Sequence, residues 1–404
     1  MIRFLTAGES HGSALLTIIE GFPSNLVISA DYIQNHLKRR KIGYGRSFRQ
    51  KMEDDKVEIL SGIRFGKTLA SPISLMIKNK DYKNWEAILS VEENNNKPDR
   101  ISVPRPGHAD LNGVIKYNFN DIRNSIERSS ARETAVRVAA GTFARKLLEV
   151  LGIKVGSFVE SIGGIKVQDN LLESLLENKT DFQDAEDISA IADKSEIRIT
   201  DSSVESRILE SIKNLKHSGN TFGGTFVVVV TGLPVGIGSY VHYDRKLDAA
   251  LAASIVSINA VKAVEFGGGF NTAAKEGSEV QDEIVITDKK ISRRTNYAGG
   301  IEGGISNGMP IIIRAAMKPI PTLMKPLKTI DLKDFSSTDA LVERSDYTAV
   351  PACSVIAESM TAWTIASFIV EKFGGDSIEE LKNNYYNYRD SIMKNLDNNF
   401  KITQ

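Results

Sequence analysis

Arginine and histidine are concentrated in one short stretch of this sequence, between positions 105 and 133. The stretch contains Arg105, Arg123, Arg128, Arg132 and His108. Guanidinium groups form paired hydrogen bonds with phosphates and carboxylates, and a histidine beside them titrates near neutral pH. These residue types therefore indicate a site for a small anion. The alternative, that they are ordinary surface arginines, stays open at this point.

A helix is predicted to begin inside this stretch. The tetrapeptide at 130–133, Ser-Ala-Arg-Glu, is a capping-box pattern. Apolar residues follow it with helical spacing as far as Leu147, and Gly152 ends the pattern. The free N–H groups and partial positive charge of a helix N-terminus suit an anion, so a helix starting at Ser130 favours the same interpretation.

The composition is that of an ordinary soluble globular protein. The 404 residues are 41% hydrophobic and 25% charged, which is enough to bury a large core. Lysine plus arginine and aspartate plus glutamate both number 51, so the net charge is zero. Bulk electrostatics therefore predicts neither a nucleic-acid nor a membrane partner, and any affinity for anions must come from local clustering.

The sequence predicts no disulfide, no metal site and no membrane span. The single cysteine, Cys353, stands in an apolar segment and is interpreted as a small core residue. No Cys-x-x-Cys or His-x-x-x-His spacing predicts a metal centre. The N-terminus lacks the layout of a signal peptide, and no apolar run reaches transmembrane length. We therefore expect a cytoplasmic protein.

Apolar patterning predicts short strands interspersed with helices, which is the α+β class. Strands are predicted at 2–6, 13–20, 57–60, 73–77, 225–231 and 309–316, and a strand with a turn at 154–167. Helices are predicted at 31–40, 202–216 and 244–258, and within 351–373. Because no repeat or clear linker divides the chain, a single large domain spanning 1–404 is preferred. The acidic, weakly patterned residues 168–200 are predicted to form a variable surface insertion.

Glycines are dense between positions 263 and 308, including Gly303. Glycine permits left-handed turns and close approach of the backbone to a ligand, whereas the alternative interpretation is a flexible linker. The Lys-Pro-Ile-Pro-Thr segment at 318–322 is predicted to be a rigid loop that follows a buried strand.

Seven short motifs resemble the signatures of the chorismate synthase family. They are Gly8-Glu-Ser-His-Gly12, Arg105-Pro-Gly-His-Ala-Asp110, Ser130-Ala-Arg-Glu-Thr134, Gly299-Gly-Ile-Glu-Gly-Gly304, Lys318-Pro-Ile-Pro-Thr322, Glu343-Arg-Ser-Asp346 and Glu371-Lys-Phe-Gly-Gly-Asp376. One such motif would be weak evidence, but seven in the same order make chance agreement negligible. The resemblance covers nearly the whole chain.

This resemblance implies a fold, a reaction and a cofactor. The fold is a compact β-α-β sandwich, and the family assembles as a homotetramer. The reaction is the last step of the shikimate pathway, which serves aromatic amino acid biosynthesis: 5-enolpyruvylshikimate 3-phosphate loses phosphate and a proton by 1,4-anti elimination to give chorismate. Reduced FMN is required although no net oxidation or reduction occurs. NADPH and an external flavin reductase are the two candidate sources of its electrons.

The resemblance also implies roles for individual residues. His11 matches the family histidine near the leaving phosphate, His108 the histidine near the flavin, and Asp346 the aspartate thought to relay a proton through the flavin. Because the substrate carries a phosphate and two carboxylates, arginines from separate parts of the chain are expected to converge on it. The substrate positions are Ser10, Arg40, Arg46, Arg49, Arg105, Arg132 and Arg344.

Flavin contacts are implied at positions from across the chain. The FMN positions are Arg128, Ser129, Ser130, Asn259, Ala260, Gly303, Lys318, Pro319, Ile320, Pro321, Thr322 and Arg344. Arg40 and Arg46 also match NADPH positions, although substrate contact is the preferred role for both. His36, His217 and His242 are given no catalytic role.

Two other functions are kept as alternatives. An NADPH-dependent flavin oxidoreductase would act on another anionic substrate, and a non-catalytic flavin- or anion-binding protein would need only the arginines. The presence of His11, His108 and Asp346 argues against the non-catalytic protein. Phosphate release without NADPH consumption separates the lyase from the oxidoreductase.

Overall fold

The computed structural model describes residues 2–47, 52–93, 99–287, 290–343 and 345–400. Arg49 and Arg344, which were predicted to contact the substrate, lie outside these ranges. The predicted roles of both residues, including that of Arg344 in flavin binding, therefore stay predictions.

The strands are short and are distributed along the whole chain. Within the described residues they are β1 (Arg3–Ala7), β2 (Ala14–Glu20), β3 (Val57–Ile59), β4 (Ile63–Arg64), β5 (Lys67–Thr68), β6 (Ile73–Lys78), β7 (Lys154–Ile162), β8 (Ile165–Lys166), β9 (Gly224–Thr231), β10 (Val261–Phe266), β11 (Ile284–Thr287), β12 (Lys290–Arg293), β13 (Ile301–Glu302), β14 (Ile305–Ser306), β15 (Ile311–Met317), β16 (Lys328–Ile330) and β17 (Ser337–Asp339).

The helices alternate with these strands, which confirms the predicted mixture of helix and strand. The α-helices of the described residues are α1 (Ala30–Lys41), α2 (Asp110–Tyr117), α3 (Arg123–Ser129), α4 (Thr134–Val150), α5 (Leu171–Leu176), α6 (Ala185–Ala192), α7 (Glu205–Ser218), α8 (Leu247–Val256), α9 (Gly277–Val280), α10 (Val350–Phe373) and α11 (Ile378–Phe400).

One antiparallel sheet has the strand order β1-β2-β6-β3. Alternate residues of β2 are buried, and Leu15 is 0% exposed, so one face of this sheet packs into the core. The loop at 8–13 joins β1 to β2. Gly8 in this loop has a φ of +104°, and a Cβ there would lie 2.3 Å from the carbonyl oxygen of Ala14. Only glycine fits this turn, which holds the motif at residues 8–12 at the end of the sheet.

A second antiparallel sheet has the order β10-β15-β9-β7-β8. Its middle strand, β9, is a continuous run of mainly β-branched residues at the position of the strand predicted at 225–231, and both of its faces are covered. Val228 and Val230 pack in the main core, whereas Val227 and Val229 pack against α5 and α6. Covering both faces explains why the sequence of β9 shows no polar alternation.

Helices α4 and α10 connect the two sheets. Helix α4 contacts β2 and β6 of the first sheet, helix α10 contacts β7 and β9 of the second, and the two helices pack along each other. At their contact, a Cβ on Gly141 would lie 2.5 Å from the Cβ of Ser359, so glycine permits the close approach. One hydrophobic cluster extends from Ile2 to Tyr385 and includes residues of both sheets.

A buried ion network fixes the end of α1 next to the site described below. Glu358 of α10 is 1% exposed and accepts hydrogen bonds from Arg39, Arg145 and Arg198. Burial alone would raise the pKa of the Glu358 carboxyl, but these three guanidinium groups hold it well below its usual range. Burial, together with Arg145 and Arg39, lowers the pKa of His36 to about 3, so this histidine is neutral and structural.

Helix α10 is the only α-helix of the described residues that is long and apolar enough to cross a membrane by length and composition. However, 89% of its most apolar window is buried inside the protein. Its contacts with α4, β7 and β9 identify it as the core helix of this fold.

The predicted surface location of residues 168–200 is wrong for much of this segment. Leu171 and Leu175 of α5 and Ile188 of α6 are nearly fully buried against β7 and β9. Arg198 is 0% exposed and donates to the carbonyl oxygen of Ser157. The prediction failed because two short helices separated by polar loops give only a few apolar positions each, so acidic composition concealed the buried face.

Candidate active site

The loop between β1 and β2 holds Ser10 and His11 against α3. The Ser10 N–H donates to the Glu127 carbonyl oxygen at 3.0 Å, and the Ser10 hydroxyl lies 3.1 Å from that of Ser130. The His11 N–H donates to Glu127 Oε2 at 2.8 Å, and His11 Nδ1 lies 3.0 Å from both carboxylate oxygens. The loop is therefore tied to α3 through main chain and side chain alike.

These contacts determine the orientation of the His11 ring. Burial alone would raise the pKa of the Glu127 carboxyl, but hydrogen bonds and charge from His11 and the charge of Arg123 lower it. An ionised carboxylate only accepts hydrogen bonds, so Nδ1 of His11 must be the donor. Trp85 stacks on the ring at a centroid distance of 4.0 Å. Nε2 is the ring nitrogen that Glu127 does not hold, and it is the atom through which His11 could act on a ligand.

Two arginines predicted to bind substrate share one buried carboxylate. Asp55 is 1% exposed; its Oδ2 accepts from Arg40 Nη2 at 2.7 Å, and its Oδ1 accepts from Arg132 Nη1. Burial alone would raise the pKa of the Asp55 carboxyl, but Arg40 and Arg132 lower it below its usual range. Asp55 therefore holds both guanidinium groups side by side.

Asn79 connects this arginine pair to the His11 loop. Its side-chain oxygen accepts from Arg132 Nε at 3.0 Å, and its side-chain nitrogen donates to the carbonyl oxygens of Glu9 and Gly12. The structure therefore brings Ser10, His11, Arg40 and Arg132 together, as predicted, although they come from three separate parts of the chain.

Several guanidinium nitrogens at this site are buried donors that form no hydrogen bond with the described part of the chain. Among the described residues, Arg40 Nε, Arg46 Nε and Arg132 Nη2 are buried and form no hydrogen bond. The pKa of Arg40 is lowered by burial first, and the nearby positive charges of Arg132 and Arg46 lower it further. An anion bound among the three groups would satisfy the donors and reduce this repulsion.

A helix N-terminus does not supply the anion site that the capping-box pattern predicted. The α-helix begins at Thr134 rather than Ser130, because Ala131–Glu133 form a 3-10 turn. The Ser130 hydroxyl accepts from the Arg132 N–H at 3.3 Å, but the Glu133 carboxylate accepts from Thr6 and Arg137. Anion binding here therefore depends on the arginine side chains.

Arg105 and His108 form a second cluster around Asp110. Arg105 Nε lies 2.8 Å from Asp110 Oδ2, and His108 Nδ1 lies 2.5 Å from Asp110 Oδ1. Arg105 Nη1 also donates to Thr322 at 3.1 Å and to Glu343 at 2.9 Å. Burial alone would raise the pKa of the Asp110 carboxyl, but hydrogen bonds from His108 and Arg105 lower it. As at His11, a carboxylate fixes Nδ1 of a predicted catalytic histidine.

This second cluster borders a cavity of about 370 Å³. Apolar and backbone groups form part of its wall, and its polar lining includes Arg105, His108, Lys262 and Lys318. No aspartate or glutamate is among the described residues that line it. The cavity is therefore electropositive and large enough for part of an organic anion.

Arg46 and Asp346 meet in a third contact. Arg46 Nη1 lies 3.1 Å from Asp346 Oδ2, and the Ser47 N–H donates to Asp346 Oδ1 at 2.6 Å. The positive charge of Arg46 is close enough to Arg40 to contribute to lowering the pKa of the Arg40 guanidinium. This contact therefore adjoins the Arg40–Arg132 pair.

Most positions that the resemblance assigned to the flavin form one continuous wall. Arg128 donates to the carbonyl oxygens of Thr6 and Gly8. Asn259 Nδ2 donates to the Ser129 carbonyl oxygen at 3.0 Å. The wall continues through three further contacts: the Lys318 N–H to the Ala260 oxygen at 2.9 Å, Lys318 Nζ to the Gly107 oxygen at 2.6 Å, and the Thr221 hydroxyl to the Ile320 oxygen at 2.7 Å.

Gly303 is separate from this wall in the hydrogen-bonding pattern. It lies in the turn of the β13–β14 hairpin, whose hydrogen bonds run to Ile237 and Leu247. A Cβ on Gly303 would meet no described atom within 4 Å. The predicted flavin contact of Gly303 stays a prediction.

A family model described as chorismate synthase matches residues 2–370 of the chain. The chain belongs to the chorismate synthase family.

Individual chorismate synthases match along almost their full length. The chain is 49% identical to the chorismate synthase of Geobacillus sp. (strain WCH70) over 387 residues, 95% of this chain and 97% of that one. It is 49% identical to that of Bacillus subtilis (strain 168) over 394 residues, 96% and 98% of the two chains. A crystal structure of chorismate synthase is 40% identical, with a TM-score of 0.79, and the match covers 97% of this chain and 98% of that chain.

Membership of the chorismate synthase family fixes the class of reaction. Chorismate synthases are lyases of the shikimate pathway that act on a phosphorylated small molecule and depend on a reduced flavin. The predictions of family, enzyme class and pathway are confirmed. The relatives are bacterial biosynthetic enzymes.

Several residues of the chorismate synthase site were missed from the sequence. Asp55, Asn79, Trp85 and Glu127 stand outside the recognised motifs, yet each contacts a motif side chain. Asp55 also has a φ of +51°, a conformation that aspartate tolerates better than most residues. A buried carboxylate is needed wherever arginines are buried, and that requirement was the one available signal.

Proposed function

We propose that Arg40, Arg46 and Arg132 bind the phosphate and carboxylate groups of 5-enolpyruvylshikimate 3-phosphate. The observation that carries this proposal is the set of buried, unsatisfied N–H groups on these three arginines within the described chain. Buried donors without acceptors are costly in an empty site and become favourable when an anion occupies it. Ser10, Arg49, Arg105 and Arg344 belong to the same proposed substrate set.

His11 is proposed to act on the departing phosphate. With Nδ1 held by the Glu127 carboxylate, the imidazolium form of His11 would also donate through Nε2 to the phosphate oxygen that leaves C3 of the substrate. The stacked Trp85 and the Glu127 carboxylate fix the orientation of the ring, so Nε2 points in one direction. Neighbouring arginines would stabilise the charge that develops on the phosphate.

His108 and Asp346 are proposed to serve the cofactor side of the reaction. Asp110 orients His108 at the edge of the electropositive cavity, where a cation or hydrogen-bond donor would stabilise a reduced flavin anion. Asp346 accepts from Arg46 and Ser47, which holds its carboxylate in place to take up the proton removed from the substrate.

We infer that the flavin is FMN. Arg128, Ser129, Ser130, Asn259 and Ala260 would hold it, together with the loop Lys318, Pro319, Ile320, Pro321 and Thr322, and with Gly303 and Arg344 as further contacts. When bound, reduced FMN supplies electron density that favours loss of the allylic phosphate. The positive cavity and the continuous wall fit an anionic, elongated ligand of this kind.

Further proposals concern the reductant and the assembly. NADPH is proposed as one electron source for the flavin, with an external flavin reductase as the other. The enzyme is proposed to be a cytoplasmic homotetramer. The layering of sheet, α4, α10 and sheet supports a β-α-β sandwich as its architecture.

The proposal is tested by an anaerobic assay with photoreduced FMN. The expected result is release of one phosphate per chorismate formed, with no NADPH consumed per turnover. Stoichiometric oxidation of NADPH without phosphate release would instead support the NADPH-dependent oxidoreductase and overturn the proposed lyase chemistry. An aerobic assay with NADPH and FMN, with and without an added flavin reductase, then identifies the electron source.

A further inference from the structure

Lys262 is a cavity residue that no sequence motif predicted. It lies in β10 and lines the 370 Å³ cavity together with Lys318, Arg105 and His108. Within the described chain Lys262 has no ion-pair partner, whereas Arg105 is paired with Asp110 and Glu343. The positive charge of Lys262 is therefore available to a ligand in the cavity.

The backbone around Lys262 is irregular in a way that directs this side chain. In the pairing of β10 with β15, the register shifts between Val261 and Ala263, which leaves Lys262 as the extra residue of a bulge. As a result Lys262 and Ala263 are both exposed, instead of alternating. Ala260 just before it has a φ of +68°, and its carbonyl oxygen accepts from the Lys318 N–H.

The bulge and the turn place Lys262 near the second lysine of the cavity. Val261 pairs with Met317 and the Lys318 N–H donates to the Ala260 carbonyl oxygen, so Lys262 and Lys318 lie at the same end of the β10–β15 pair, and both line the cavity. Lys318 Nζ donates to the Gly107 carbonyl oxygen, which keeps the ammonium group at the cavity wall. Two ammonium groups facing a cavity without a lining carboxylate are typical of a phosphate site.

We propose that Lys262 and Lys318 together bind the terminal phosphate of FMN. This inference rests on the proposed function, because it assumes that the flavin occupies this wall. It assigns the phosphate end of the cofactor to the cavity and places the isoalloxazine ring toward the substrate arginines and His11. It also assigns a role to Lys262, which was absent from the predicted flavin set.

The test compares FMN with riboflavin, which lacks only the phosphate. Dissociation constants for both reduced flavins are measured by anaerobic calorimetry for the native chain and for Lys262→Gln. The loss of one charged hydrogen bond should weaken FMN binding about tenfold and leave riboflavin binding unchanged. Lys262→Arg should restore most of the preference for FMN. Lys394→Gln, a change of the same charge on the exposed end of α11, should alter neither.

Each other outcome overturns the inference in a recognisable way. If Lys262→Gln keeps the native preference for FMN over riboflavin, Lys262 does not bind the phosphate, although the flavin proposal survives. If that variant instead loses affinity for the phosphorylated substrate, the cavity binds the substrate phosphate. If the native chain binds neither flavin, the inference and the proposed cofactor fail together. Because Lys262 is exposed, we expect all variants to keep the native melting temperature.

Discussion

Asp55 offers the sharpest test of how the substrate arginines are held. The perturbation is Asp55→Asn, which keeps the size of the side chain and tolerates the φ of +51° at this position. It removes the negative charge between Arg40, which is 2% exposed, and Arg132, which is 5% exposed. One amide oxygen would remain for two guanidinium groups, and the amide nitrogen would face one of them as a second donor.

The expected cost follows from the burial of all three groups. Removing one partner of a buried ion pair typically destabilises a protein by about 3–5 kcal/mol. Asp54→Asn is the matched control, because the adjacent Asp54 pairs with Lys80 at the surface and is 59% exposed. An exposed pair contributes less than about 1 kcal/mol. The free energy of unfolding in urea, measured for both variants, should therefore separate them clearly.

The pH dependence gives a second measurement on the same residue. The pKa of Asp55 is lower in the folded state than in the unfolded chain, so its contribution to stability is present above the unfolded pKa of about 3.9 and disappears as pH falls. The difference in stability between the native chain and Asp55→Asn should thus be largest near neutral pH and shrink in acid.

Substrate affinity distinguishes a role at the site from a purely structural one. At a temperature where both variants are folded, Asp55→Asn should raise the dissociation constant of the substrate about tenfold or more, because Arg40 and Arg132 lose their common orientation. If Asp55→Asn is no less stable than Asp54→Asn and binds substrate normally, Asp55 does not organise these arginines.

Three further predictions concern catalysis, packing and reactivity. His11→Ala should slow phosphate release about 100-fold while flavin still binds; unchanged turnover would exclude His11 from the mechanism. Gly156→Ala places a Cβ 1.8 Å from the Ala185 oxygen and should cost about 3 kcal/mol or more in urea unfolding, whereas Gly277→Ala, in open space, should not; equal stabilities would contradict this packing. Burial raises the pKa of Cys353 to about 12, so iodoacetamide at pH 8 should label it only after unfolding; rapid labelling of the native protein would show that it is accessible.

The local elements of the fold were predictable because their signals are local. The buried run of β9, the helix of α10 and the strands β1 and β2 follow from apolar runs or spacing within a few residues. The start of α4 was predicted four residues too early, because the capping-box pattern does not reveal that Glu133 bonds to Thr6 in a distant strand.

The sequence by itself determined the family, the reaction class and the motif residues of the site. The tertiary structure alone decided which groups orient these motif side chains. Glu127 contacts His11 across 116 positions of the sequence, Asp55 contacts Arg132 across 77 positions, and Glu343 contacts Arg105 across 238 positions. A motif records residue types along the chain, whereas the orientation and charge of a side chain depend on partners that only folding brings within hydrogen-bond distance.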